Sequence, residues 1–170
     1  YLTCIVSGID DRFKAAVPVY GCGFLQENSA WLKQLHEKLS PEWSKTWVRK
    51  FDPSQYVGKA KMPLLFVNGT NDFAYPLDSY RKTYRLVSDH TLCVTVRMPH
   101  GHPPGWAPNE IDIFIESQLN DTRPLPEISL DVRLSEDKTT ASATTCEKAG
   151  KAEFHWTTDD GPWPKRLWQS

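Results

Sequence analysis

Three side chains in this sequence have the types and order needed for acid–base chemistry: Asp72, then His100 and His102. Asp72 closes the stretch Leu64-Leu65-Phe66-Val67-Asn68-Gly69-Thr70-Asn71-Asp72, an apolar run that delivers a carboxylate on a glycine-containing turn. The histidines follow a second apolar run, Leu92 to Met98, in Met98-Pro99-His100-Gly101-His102. A carboxylate so placed can accept the Nδ1 proton of an imidazole, fix its tautomer and stabilise the imidazolium, which leaves the other ring nitrogen as a general base. A turn aspartate can equally bond nearby backbone amides. His100 is favoured as the base, because it comes sooner after the strand and Gly101 beside it leaves space for substrate. His102 is the alternative base or a support for the loop. Two histidines two residues apart also raise the question of a metal. A third ligand could come only from Asp72 or His90, so neither a metal nor a cofactor is expected.

The sequence offers no matching nucleophile. Ser7, Ser29, Ser40, Ser44, Ser79 and Ser88 occupy helix-end, cap or loop positions, and none sits in a Gly-x-Ser-x-Gly setting. Cys22, between Gly21 and Gly23 after a strand, is the best internal alternative, or a small residue beside the pocket. Tyr20, Cys22 and Trp106 are expected to line the substrate pocket. The four cysteines show no CxxC spacing; Cys4 and Cys93 lie in apolar runs and read as free buried thiols.

The elements that must position these groups alternate. Tyr1 to Ser7 reads as the end of a helix stopped by Gly8, and Phe13 to Tyr20 as a buried strand. Glu27 to Phe51 reads as helical, restarting at Ser40-Pro41 with an N-cap and a first-turn proline. The strand opened by Pro63 has the continuous apolar character of one covered on both faces. Leu77, Tyr80, Tyr84 and Val87 form one helical stripe; Asp78 serves the first turn of that helix. Strand Leu92 to Met98 follows, then a helix from Ala107 to Leu119 with Ile111, Phe114, Ile115 and Leu119 facing inward. Alternating strands and helices predict an α/β architecture with a parallel sheet.

The texture changes near residue 121, where Asp121-Thr122-Arg123-Pro124-Leu125-Pro126 reads as a linker. Ile128 to Leu134, Thr139 to Thr145 and Lys151 to Thr157 then read as three short strands, the start of a β-sandwich module. Three units are therefore expected: a partial α/β domain over 1–120, a linker over 121–127 and a partial sandwich over 128–170. The net charge of −1 gives no electrostatic case for nucleic acid or an anionic membrane, and no apolar run approaches the roughly 20 residues of a membrane span. Neither partner is expected. Seven tryptophans are many for 170 residues, and they suit either sugar-facing surfaces or the anchoring of irregular loops.

Tyr1-Leu2-Thr3-Cys4-Ile5-Val6 with Asp10-Asp11-Arg12-Phe13-Lys14-Ala15-Ala16-Val17-Pro18-Val19-Tyr20-Gly21 resembles the stretch after the nucleophile elbow of α/β-hydrolases, of the acetyl xylan esterase-like and prolyl-oligopeptidase-like kinds. The likeness continues through Met62 to Asp72 and Met98 to Trp106. The tail, with Trp156 to Gly161 and Arg166-Leu167-Trp168, is similar to a β-sandwich appended to some of these proteins; the PhoPQ-activated pathogenicity-related proteins are a related group. The resemblance implies that Asp72 is a triad acid and His100 or His102 the base of an acyl-enzyme mechanism on esters, with acetylated sugars among the substrates it suggests. It also implies a serine a few residues before Tyr1, so that this chain is the C-terminal part of the hydrolase sheet with its flanking helices. A secreted or periplasmic setting fits it. Two other readings stay open: a non-catalytic carbohydrate-binding or assembly module, and a serine peptidase.

Overall fold

The computed structural model describes residues 1–170. Helix α1 (Leu2–Ser7) turns Cys4 and Ser7 into the core and ends at Gly8. An extended segment then runs parallel to strand β1 (Leu64–Gly69), in the register Ala16 to Leu64 and Val19 to Val67. Leu65 N–H donates to the Ala16 carbonyl at 3.0 Å, Val67 N–H to that of Pro18 at 3.2 Å, and Tyr20 N–H to that of Val67 at 2.8 Å. Pro18 has no N–H to give in return. The expected strand from Phe13 to Tyr20 is therefore reduced to two bridges flanking a missing rung, and Phe13 at its start is half exposed.

The stretch expected to be helical from Glu27 to Phe51 is shorter and divided. Residues 27–31 are turns, Gln34–Lys38 is a π-helical turn that buries Leu35, and only α2 (Pro41–Phe51) is a regular helix. That helix begins as its sequence predicts, with Ser40 Oγ accepting from Trp43 N–H at 3.3 Å and Pro41 in the first turn. After it, the wholly buried Asp52 carboxylate accepts from the backbone N–H groups of Phe24, Leu25 and Ser54 at 2.9–3.0 Å. The bonds to Phe24 and Leu25 join the two ends of the insert.

β1 is buried at every residue, as its unbroken apolar run demands. Leu64 and Phe66 face a core containing Cys4, Cys22, Leu25, Leu35 and Tyr80; Leu65 and Val67 face a second core with Tyr20, Met98 and Phe114. Helix α3 (Leu77–Tyr84) sets the Tyr80 ring edge-on to Phe66, centroids 5.9 Å apart. Strand β2 (His90–Thr95) pairs parallel with β1 from Leu64–His90 to Gly69–Thr95. It starts and stops earlier than expected, because the chain turns at Arg97, whose φ is 58°. As an edge strand it leaves Leu92 and Val94 exposed. Helices α4 (His102–Trp106) and α5 (Glu110–Asn120) complete the α/β part; Phe114 is buried, whereas Leu119, expected to face inward, is 60% exposed. No helix is long and apolar enough to cross a membrane.

Strands β3 (Ile128–Leu134) and β4 (Thr139–Thr145) form an antiparallel hairpin with the predicted bounds. All of β3 is exposed, and the third expected strand, Lys151 to Thr157, is reduced to one bridge between Trp156 and Gln169. A packed sandwich is not formed: the apolar side of β3 meets no facing sheet. The two parts should respond differently to truncation. Phe66→Ala is expected to cost about 3–5 kcal/mol and Leu130→Ala less than about 0.5 kcal/mol, measured by urea denaturation; similar costs at both sites would contradict this packing.

Candidate active site

The parallel register brings the C-terminal ends of β1 and β2 side by side. A Cβ on Gly69 would lie 2.1 Å from the Met98 carbonyl oxygen, so only glycine lets the end of β1 approach the loop after β2 this closely. Thr70 N–H donates to the Thr95 carbonyl at 3.1 Å, and Thr70 Oγ1 accepts from Arg97 N–H at 2.9 Å. Asn68, fully buried, donates to the Tyr75 carbonyl at 2.9 Å and closes the far side of the acid turn.

Asp72 is wholly buried and makes both kinds of bond that its sequence position allows. Oδ1 accepts from the backbone N–H groups of Ala74 at 2.6 Å and Tyr75 at 2.8 Å, while Oδ2 lies 2.8 Å from His100 Nδ1. Carboxylate oxygens only accept, so Nδ1 carries the proton and Nε2 of the neutral ring keeps its lone pair. The His100 ring is held between Tyr20, Phe73 and Tyr75, at centroid distances of 4.4, 5.2 and 5.9 Å. His102 is set apart: it opens α4 and its ring packs on Trp106, 5.4 Å away.

Tyr20 shapes the base loop. Its hydroxyl proton is shared between the carbonyls of Pro99 at 2.9 Å and Gly101 at 3.0 Å, and its backbone takes a left-handed φ of 59°. A Cβ on Gly105 would stand 2.5 Å from the Tyr20 ring, which makes α4 dependent on that glycine. Around His100 a cleft of about 230 Å³ is walled by Tyr1, Val19, Tyr20, Tyr75 and Trp106, with Gly101 and His102 at its edge. Burial raises the phenol pKa values of Tyr20 and Tyr75, so both of these rings stay neutral.

Of the pocket residues expected from sequence, Tyr20 and Trp106 line the cleft and Cys22 does not. Cys22 is fully buried in the core beside Cys4, and desolvation holds its thiol well above the ordinary cysteine range. Burial pushes Cys4 up to about 11 as well. Thiols held protonated in this way are poor nucleophiles, and no serine lines the cleft. The sequence reading passed over Tyr75, which follows Asp72 at the distance its Oδ1 bond spans, and Tyr1. For Tyr75 the signal is an aromatic residue within one turn of Asp72, and Tyr1 carries none.

The Asp72 geometry has a direct consequence. In Asp72→Asn the amide oxygen remains on the Ala74 and Tyr75 N–H groups, which turns the NH2 toward His100 Nδ1. Nδ1 must then accept, and the imidazole proton moves to Nε2. Nitrogen NMR of the labelled His100 ring should report that exchange of tautomer; a ring still protonated at Nδ1 would contradict the assignment of the bonds.

Among solved structures the chain is similar to a puromycin hydrolase, with TM-score 0.56 and 14% identity over 70% of this chain and 20% of that one. It is also similar to a puromycin-hydrolyzing peptidase of Mycobacterium tuberculosis, with TM-score 0.58 and 19% identity over 72% of this chain and 21% of that one. The chain thus spans about a fifth of the length of these proteins, and the likeness shows a shared α/β-hydrolase fold. No curated protein matches it. The profile of the PhoPQ-activated pathogenicity-related proteins matches residues 5–161, so this chain belongs to that family.

Proposed function

We propose that these residues supply the acid and the base of a serine hydrolase, Asp72 and His100, and that the nucleophile lies on polypeptide N-terminal to Tyr1. The observation that carries this reading is the 2.8 Å bond from His100 Nδ1 to a buried carboxylate, with the ring in the wall of an open cleft. Tyr1 stands in the wall of the same cleft as His100, which supports a nucleophile on the polypeptide shortly before it. In the reaction, Nε2 takes the proton of the serine hydroxyl as the oxygen attacks an acyl carbon. The same nitrogen returns the proton to the leaving group, and Asp72 stabilises the imidazolium throughout. His102 is then a cleft-edge residue that supports Trp106 rather than the base.

The cleft gives the substrate its outline. At about 230 Å³ it falls below the roughly 300–1,000 Å³ of a complete ligand site, as suits one wall of a larger one. Neutral aromatic walls favour an uncharged, flat group beside the reacting carbonyl. Aminoacyl or peptide amides fit that wall, and the fold neighbours named for puromycin hydrolysis add support. Hydrolysis of acetyl esters on sugars is the second reading, favoured by the sequence resemblance, since aromatic rings also stack on sugar faces.

The experiment is a side-by-side assay of the protein extended through its N-terminal polypeptide, using an aminoacyl 4-nitroanilide, p-nitrophenyl acetate and acetylated xylan. Turnover of at least one is expected, with His100→Ala lowering kcat about 10⁴-fold or more and His102→Ala changing it less than about tenfold. Equal losses at the two histidines, or none at His100, would overturn the assignment. The 170 residues alone are expected to turn over p-nitrophenyl acetate no faster than their His100→Ala variant.

A further inference from the structure

The acid turn and the base loop are joined to each other, and to a third segment far away in sequence. Thr70, buried between the loops, accepts the Arg97 N–H at Oγ1 and donates its one hydroxyl proton to Asn71 Oδ1 at 2.7 Å. That bond fixes the Asn71 amide with its NH2 outward, where Nδ2 donates to the carbonyls of Pro164 at 3.2 Å and Arg166 at 2.8 Å. Each polar hydrogen in this set has an acceptor, so the amide has one favourable orientation. From the other loop, the Arg97 guanidinium donates to the Trp168 carbonyl. Residues 164–168 therefore hold the residue next to Asp72 and a residue three before His100.

The segment is built to present those carbonyls. The Arg166 guanidinium lies 3.7 Å above the Trp163 ring and donates through Nε to the Gly161 carbonyl at 2.8 Å. Leu167 N–H donates to Asp159 at 2.7 Å, and Gln169 exchanges backbone bonds with Trp156 at 2.8 and 3.0 Å. Arg97 itself sits at a left-handed φ of 58°, a conformation that a non-glycine residue keeps only when its surroundings hold it. The tie to Trp168 is one of two bonds that do so.

We propose that residues 163–169 act as a clamp that sets the alignment of Asp72 with His100, and that Asn71 and Arg97 are the positioning residues through which it acts. The inference rests on the hydrolase reading for its effect on turnover, but not for its effect on the Asp72–His100 bond. Neither residue touches the cleft, so loosening the clamp changes how well the imidazole faces the nucleophile and leaves substrate contacts in place. An error of about 1 Å in such an arrangement costs on the order of 10²-fold in rate.

The test uses the intact protein with ¹⁵N-labelled histidine and four variants: Asn71→Ala, Asn71→Asp, Arg97→Ala and Arg97→Lys. Asn71→Asp is the sharpest, since it places a carboxylate against two carbonyls and keeps the side-chain size. The His100 Nδ1–H resonance is expected to broaden or disappear in Asn71→Ala, Asn71→Asp and Arg97→Ala, and to return in Arg97→Lys. In the same three variants kcat should fall about 10- to 100-fold with KM moving less than about twofold. Folded variants with an unchanged resonance and unchanged kcat would overturn the clamp, even if they melt at lower temperature. Should the Asn71 variants not fold, the exposed Arg97 pair gives the same decision. If the wild-type protein shows no hydrolysis while the resonance responds as expected, the hydrolase reading fails and the clamp stands.

Discussion

Gly69 lies opposite Thr95 in the parallel ladder of β1 and β2, and the chemistry of the molecule depends on that register. Parallel strands end on the same side of the sheet, so the turn after each one emerges next to the other. With Gly69 beside the Met98 carbonyl there is no space for a side chain between them, and the two turns close to bonding distance. A slip of one residue would reverse every side chain on β1, exchanging Leu64 and Phe66 with Leu65 and Val67 between cores of different shape. The two cores therefore hold the register, and the register holds Asp72 to His100.

Burial of the carboxylate is the second constraint. A carboxylate withdrawn from water must recover its hydration from fixed donors. Asp72 does so with two backbone N–H groups and one imidazole N–H. The backbone pair fixes Oδ1, which leaves Oδ2 a single direction and gives the imidazole one seat. Tyr20 makes the base loop equally specific by binding two of its carbonyls at once. The result is an acid–base pair with little freedom in a wall of neutral aromatic rings.

The sequence was most legible where one local force decides. β1 follows from its apolar run, α2 from Ser40 and Pro41, and the β3–β4 hairpin from the alternation of Ile128–Leu134 and the small, β-prone residues of Thr139–Thr145; the order of Asp72 and the histidines was enough to nominate the pair. It was least legible where distant contacts decide. Pro18 removes one rung from a segment whose composition otherwise reads as a strand. Leu92 and Val94 are apolar but lie on an edge, and Cys22 looks like a cleft residue until Cys4 and Leu25 are seen to enclose it. Phe154 and Trp156 alternate like a strand, yet Trp156 alone finds a partner, Gln169. His100 alone of the two histidines meets the carboxylate: Pro99 and Gly101 offer Tyr20 the carbonyls that hold the loop, and His102 is carried past the acid into α4.

On the reading proposed above, Asp72 and His100 activate a serine outside these 170 residues. Its most direct test is reaction of the N-terminally extended protein with a fluorophosphonate, followed by peptide mass spectrometry to locate the adduct. One modified serine is expected, shortly before Tyr1, and its labelling slows by orders of magnitude in His100→Ala. An adduct on a residue within 1–170, or labelling at the same rate without His100, would contradict it.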